Sequence, residues 1–343
     1  MRAVYLKGYK DWNNIVVGQR PDPKPGVGEV LVKIHAAGIN RVDLYMFNGG
    51  AGITHELPLI FGVDGAGVVE AVGPEVKERK VGDRVVIWPG RICGLCEFCR
   101  RGDQMLCLNC KIFGEHIDGS FADYISVPEA CAFPIADSLS FQSAAVLPTA
   151  YLTAWRMVTT QGDVRSNDVV LIHGVGGGAS LAAMQFCKIA NAHVIVTSSS
   201  DEKLERAKKL GADDTINYKR DDVFKKVMQL TDGRGVDVVI ENVGQQTWPV
   251  SMKCVIRGGR IICCGATTGS APSADLQRIF IRQLQIKGAT IGNFEEFRTL
   301  INAAERHLFE PYFDKIYSLE EAPVALQRLD RGEQLGKMGL KVN

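Results

Sequence analysis

The sequence predicts an α/β protein in two domains, on three observations. A chain of 343 residues exceeds what one ordinary hydrophobic core supports. Up to about residue 150 it reads as short strands divided by glycine and proline turns, the texture of a small β-barrel. Beyond that, apolar strand-like runs alternate with segments of helical apolar spacing. That is the texture of a doubly wound parallel six-stranded sheet, whose ligand site lies at the carboxyl ends of its strands.

In the first part, Pro21 to Gly26 cannot be helical and leads into a half-buried strand over Gly28–Ala36. Further strands are expected at Gly65–Gly73, Gly82–Ile87 and Ser120–Val127. His35 has no cysteine or second histidine near it in sequence and is expected to be a packed histidine. In the second part, strands are expected at Asp168–His173, His193–Thr197, Asp214–Tyr218, Val236–Ile240, Gly259–Gly265 and near Gln285–Thr290. Helices after Ser180 and over Asp201–Leu210, Asp222–Leu230, Gln245–Ile256 and Leu276–Leu284 separate them. Helices at Glu295–His307 and near Leu319–Arg331, then a strand at Met338–Val342, are assigned back to the barrel. The expected domains are therefore 1–150 with 293–343, and 151–292.

Composition narrows the function classes. Forty basic residues against 39 acidic ones give a formal charge of +1, without the basic excess that nucleic acid or an anionic membrane calls for. No apolar stretch approaches a bilayer-spanning length, and the opening Met1–Lys7 has no signal-peptide core, so a cytoplasmic location is expected. Ten cysteines in a chain of this size suit a reducing compartment and metal ligation better than disulfides.

Two motifs carry chemistry. Gly174-Val175-Gly176-Gly177-Gly178-Ala179-Ser180 joins a strand to a helix, where glycines admit a pyrophosphate close to the backbone and the helix N-terminus faces the anion. Cys93, Cys96, Cys99 and Cys107 are spaced so that four thiolates can converge on one tetrahedral Zn²⁺ at ~2.3 Å. Four sulfurs leave no open position, so this metal is expected to be structural. Cys110 is a spare that competes as fourth ligand. Cys131, Cys187, Cys254, Cys263 and Cys264 read as core residues.

With these motifs, Gly38-Ile39-Asn40-Arg41-Val42-Asp43-Leu44 and Phe61-Gly62-Val63-Asp64-Gly65-Ala66-Gly67 complete a resemblance, over nearly the whole chain, to the medium-chain dehydrogenase/reductase family. The resemblance implies a GroES-like barrel domain, a Rossmann domain, and an active site in the cleft between them. Asn242, Val243 and Gly244, with Gly265, Ala266 and Thr267, are then expected at the nicotinamide side, and Thr153 touching the nicotinamide. A homo-oligomer, dimer or tetramer, acting on a small-molecule substrate is implied as well. Ser180 replaces the family's last turn glycine; its hydroxyl is expected to add a phosphate hydrogen bond.

The departures change the expected mechanism. Zinc alcohol dehydrogenases carry a cysteine where this chain has Asn40, a Gly-His-Glu where it has Gly62-Val63-Asp64, and a third ligand near Pro148-Thr149. The residues present do not make a catalytic zinc site. Without a Lewis acid, substrates that delocalise incoming negative charge are favoured, namely quinones and conjugated enones or enals, as in the family's quinone-oxidoreductase branch. Asn40 is expected to contact substrate or ribose, or else to cap the strand end. Asp43 and Asp64 are read as turn-satisfied carboxylates. His116 is a candidate proton donor, set against a plain loop histidine.

Cofactor choice is read where an NAD enzyme places an acidic residue, about 20 residues past the glycines. Here stand Ser198 and Ser199, with Lys203 nearby, which favours NADP(H) over NAD(H). Against this, Ser199 with Glu202 also fits a helix capping box, and Asp201 and Glu202 weaken the positive field. The leading expectation is an NADP(H)-dependent quinone or enone reductase with one structural zinc. Two alternatives stay open: a zinc-dependent alcohol dehydrogenase with unrecognised ligands, and a cofactor-binding protein without turnover.

Overall fold

The computed structural model describes the chain from Met1 to Asn343, apart from the side chain of Ala51. It forms two compact units, Met1–Leu152 with Asn293–Asn343, and Thr153–Gly292. Among the described residues no helix is long and apolar enough to cross a membrane.

The first unit opens with β1 (Arg2–Leu6), β2 (Ile15–Gln19), β3 (Glu29–Ile39), α1 (Arg41–Phe47), β4 (Leu59–Ile60) and β5 (Asp64–Val72). It continues through β6 (Arg84–Ile87), β7 (Gly90–Arg91), α2 (Glu97–Arg100), β8 (Lys111–Ile112), β9 (Tyr124–Pro128), β10 (Ala132–Pro134) and α3 (Phe141–Ala145). On β3 the alternation is plain: Val30, Val32 and Ile34 are fully buried on one face. Its pairing with β5 requires Gly67, because a Cβ there would fall 1.9 Å from the Lys33 carbonyl oxygen.

The chain then crosses α4 (Leu152–Trp155) and builds the second unit. Its elements are β11 (Val169–Ile172), α5 (Gly178–Ile189), β12 (His193–Ser198), α6 (Asp201–Lys209), β13 (Asp214–Asn217), α7 (Val223–Leu230), β14 (Val236–Glu241), α8 (Trp248–Cys254), β15 (Val255–Cys263), α9 (Leu276–Arg282) and β16 (Gln285–Gly288). The strands are all parallel, in the order β13-β12-β11-β14-β15-β16. That is a doubly wound order, as expected, and its central strands carry apolar runs, Val169–Ile172, Val194–Val196 and Val238–Ile240, because both faces are covered. Strand order reverses between β12–β11 and β14, so ligands are expected at the carboxyl ends of β11 and β14.

The last segment, α10 (Phe294–Glu305), β17 (Phe313–Ser318), α11 (Ala322–Asp330) and β18 (Lys337–Lys341), returns to the first unit. There the main sheet runs β10-β6-β5-β3-β18-β17 with β9 also on β3, beside a smaller sheet β2-β1-β4 and the pair β7-β8. Phe61, Phe113, Phe121, Leu326 and Leu340 belong to its buried core.

Several elements differ from expectation, two of them instructively. Helix α8 is shorter than Gln245–Ile256, because Pro249 starts it late and its last expected residues are already strand β15. Strand β17 was not foreseen, since its pattern of burial alternates weakly.

Candidate functional site

The four cysteines converge. Their sulfurs all lie within 4.8 Å of one another, with Cys107 3.5 Å from Cys93 and Cys96 3.5 Å from Cys99. Backbone N–H groups of Leu95 and Cys96 pull the Cys93 thiol down to about 6, toward the thiolate that a metal binds. This donor set fits zinc, held for structure by Cys93, Cys96, Cys99 and Cys107. Cys110 stands outside the cluster, and burial pushes its thiol up to about 12. Cys131, Cys187 and Cys254 are buried as expected, whereas Cys263 and Cys264 are only half-buried at the carboxyl end of β15.

A second convergence lies at the end of β3. Asn40 is 7% exposed, and its Nδ2 donates to Asp64 Oδ2 (2.8 Å) and Gly38 O (3.2 Å). Thr149 Oγ1 donates to Asp64 Oδ1 at 2.6 Å. Lys337 Nζ, from β18, completes the group by donating to Asn40 Oδ1 (2.6 Å), Ile39 O (2.7 Å) and, at 3.4 Å, Asp64 Oδ2. Burial lowers the Lys337 pKa, and the Asp64 and Asp43 carboxylates oppose that shift. Asp64 is therefore not the turn-satisfied carboxylate expected from sequence, because its partners are three side chains far apart in the chain. Asn40 is more closed than expected too, with both amide hydrogens engaged inside the protein. Val63 is buried and apolar.

Asp43 keeps part of its turn role: Oδ2 accepts from Asn40 N at 2.8 Å. Its other oxygen is buried without a partner, and burial raises its pKa to about 7. His35 stacks on Phe141 with ring centroids 4.7 Å apart, a packed histidine as anticipated.

In the second unit the glycine turn follows β11 directly. Gly174 has φ +66°, a left-handed conformation that favours glycine, and α5 starts at Gly178 with Gly177 as its cap. Gly176, Gly177, Gly178 and Ala179 form the turn and first helical residues. Ser180 does not offer its hydroxyl to a phosphate as expected. The side chain is fully buried, donates to His173 O at 2.9 Å and accepts from Asn242 Nδ2. Across the turn, a Cβ on Gly174 would meet Val243 and Asn242 at 3.6 and 3.7 Å. The loops at 242–244 and 265–269 also meet, Thr268 donating to Val243 O at 2.8 Å. Gly265 and Ala266 belong to that second loop. Thr153 is buried, and its hydroxyl accepts from Ile291 N at 3.0 Å.

Residues 26–137 match the alcohol dehydrogenase GroES-like domain and residues 178–306 match the zinc-binding dehydrogenase domain. The chain belongs to the zinc-type medium-chain dehydrogenase/reductase family. This dehydrogenase/reductase is 35% identical to a zinc-type alcohol dehydrogenase-like protein of Schizosaccharomyces pombe, over 92% of this chain and 91% of that one. A crystal structure of an NAD-dependent alcohol dehydrogenase superposes with a TM-score of 0.95 at 39% identity, each chain fully covered. A crotonyl-CoA carboxylase/reductase variant in complex with NADP superposes at 0.92 with 26% identity, covering all of this chain and 95% of that one. Membership makes it an oxidoreductase that uses a nicotinamide cofactor.

Near the strand tip of this dehydrogenase/reductase, Ser198 is buried and accepts from Ser200 N at 3.2 Å. The cap of α6 is Ser200, accepting from Lys203 N, and not the Ser199 that a box with Glu202 would use. Ser199 and Lys203 are half-buried. Sequence reasoning missed Arg220, beyond β13, which grips Asp201 through two hydrogen bonds of 2.8 and 2.9 Å. It also missed Glu115, whose pKa burial raises to about 7. Next to it, His116 Nδ1 accepts from Ile112 N at 3.1 Å, which leaves the ring proton on Nε2. Burial lowers the His116 pKa, so the neutral ring prevails near pH 7.

Proposed function

We propose that this dehydrogenase/reductase is an NADP(H)-dependent enzyme that transfers hydride to or from quinones or conjugated enones and enals, with a structural zinc only. The observation that carries the reading is the Asn40–Asp64–Thr149–Lys337 cluster. At the positions where the resemblance would set a catalytic metal's ligands, the chain has an amide, a buried valine and a hydroxyl, joined to an ammonium group. A fixed cation repels Zn²⁺, and an amide and a hydroxyl are poor zinc ligands. These residues do not fit a catalytic zinc.

Substrates that spread the arriving charge over a conjugated system need no such ion. In this reading the chain's own contribution is a fixed polar site built on Asn40, Asp64, Thr149 and Lys337, with the neutral His116 ring donating a hydrogen bond from Nε2–H to the oxygen on which charge arrives. Zinc bound at the four cysteines would supply local rigidity, and a bound nicotinamide would supply or accept the hydride.

For the cofactor, Asp201 no longer stands as an unpaired negative charge, because Arg220 neutralises it. Ser198, Ser199, Lys203 and Arg220 together suit a 2′-phosphate. Gly176, Gly177, Gly178 and Ala179 would meet the pyrophosphate, with Ser180 shaping the turn. Thr153, Asn242, Val243, Gly265 and Ala266 would border the nicotinamide. A homo-oligomer is part of the same reading, supported by the exposed Leu276, Phe280 and Ile281 on α9 and by Ile286 on the sheet edge β16.

Two measurements test this together. Metal analysis is expected to give about one zinc per chain even after zinc loading, and NADPH oxidation to be fastest with quinones or enals among quinones, enals and simple aldehydes. About two zincs per chain, with simple alcohols the best substrates, would overturn the reading.

A further inference from the structure

Beneath the glycine turn of the second unit runs a path of buried polar side chains that the proposed reaction does not use. Glu241, which closes β14, is fully buried. Its carboxylate accepts from Val243 N (2.8 Å), Gly244 N (3.0 Å), Thr247 Oγ1 (2.8 Å) and Ser251 Oγ (2.7 Å). Because Ser251 gives its one proton to Glu241, its oxygen must accept from His173, whose Nε2 lies 3.0 Å away. Nε2 thus carries the ring proton, and Nδ1 is an acceptor facing the Thr197 hydroxyl at 3.5 Å. Thr197 Oγ1 in turn accepts from Gly174 N at 3.2 Å.

Every donor on this path points the same way, from Gly174 through Thr197, His173 and Ser251 to Glu241. Burial lowers the His173 pKa, in keeping with a neutral ring. The charged group facing that ring is Glu241 of β14, 4.0 Å away, while β12 and α8 face it with hydroxyls.

The ends of the path are the two backbone stretches that open at the carboxyl ends of β11 and β14, neighbours in the sheet. We propose that His173, Ser251 and Glu241 are positioning residues that lock the glycine turn to the 242–244 loop, so that the dinucleotide meets a cradle already in shape. This rests on the reading that the second unit binds a nicotinamide dinucleotide. A fully satisfied buried network holds one arrangement, and a broken one leaves unpaired groups that repack and loosen the backbone they held.

The test compares wild type with Ser251→Ala, which cuts the middle of the path, Thr197→Val, which cuts its upper end, and His173→Phe. In the ligand-free protein, amide hydrogen exchange is expected to quicken in the 173–178 and 242–246 stretches together. The Kd for NADPH is expected to rise about tenfold, the scale of one lost buried hydrogen bond, with kcat at saturating nucleotide within about twofold. His173→Gln, which keeps a donor and an acceptor, is expected to restore most of both. If Ser251→Ala does not fold, Thr197→Val and the His173 pair decide. Exchange quickening in one stretch alone, or an unchanged Kd in a folded variant, would overturn the proposal. Should wild type bind no nicotinamide dinucleotide, the cofactor reading falls, and the exchange arm still decides whether the stretches are coupled.

Discussion

At the scale of single residues, Lys337 is a buried cation, with 2% exposure and a fully buried Asp64 at 3.4 Å. Lys337→Met would leave that carboxylate without its cation and is expected to cost about 3–5 kcal/mol, whereas Lys337→Met with Asp64→Asn should cost much less. Chemical denaturation of the two variants reads the difference, and equal losses would show that the ion pair is not the source.

Asp43 gives a pH prediction. The folded protein holds its proton up to about 7, whereas the unfolded chain releases it near 4. Between these values the folded state binds more protons, so stability falls as pH rises through that window. The melting temperature of Asp43→Asn relative to wild type should therefore improve between pH 5 and pH 8; a constant difference would contradict the shift. His116→Asn is expected to cut turnover on a good substrate severalfold, and unchanged turnover would remove His116 from the mechanism. Asn40, Asp64 and Thr149 stood at positions the sequence singled out, but Lys337 did not, because Lys337 and Asn40 stand 297 positions apart and lysine in a closing strand carries no signal of its own. Serine at 180 was visible, but a side chain's hydrogen-bond direction is a tertiary fact.

At the scale of elements, the proposed NADP(H) preference rests on charge at the ends of β12 and β13. Lys203→Ala combined with Arg220→Ala is expected to weaken NADPH about tenfold and to leave NADH within about twofold, since only the former carries the extra phosphate. Parallel fluorescence titrations measure both, and an equal loss for the two nucleotides would argue against a phosphate role. The second unit was the more legible half. Parallel strands covered on both faces are mostly apolar, so Val169–Ile172 and the run Val238–Ile240 within Val236–Glu241 announce themselves. The barrel was harder to read: β4 is two residues long and β17 half-exposed, and neither length nor periodicity separates such strands from loops.

For the whole molecule, metal and assembly are the accessible observables. A strong chelator should remove about one zinc per chain and lower the thermal stability, because four thiolates otherwise lose the ion that holds them together. Phe280, 68% exposed on α9, is expected to lie in a contact between copies. Phe280→Glu should lower the mass found by light scattering, and an unchanged mass would place the contact elsewhere. The two-part composition of the first unit has a consequence for synthesis. Strand β18 pairs with both β3 and β17 and brings Lys337 to Asn40, yet the ribosome reaches it only after the entire second unit. At ~5–20 residues per second, β3 waits on the order of ten seconds or more for its neighbour. During that wait Asp64 has no cation, and a nascent or prematurely ended chain is denied a finished polar site.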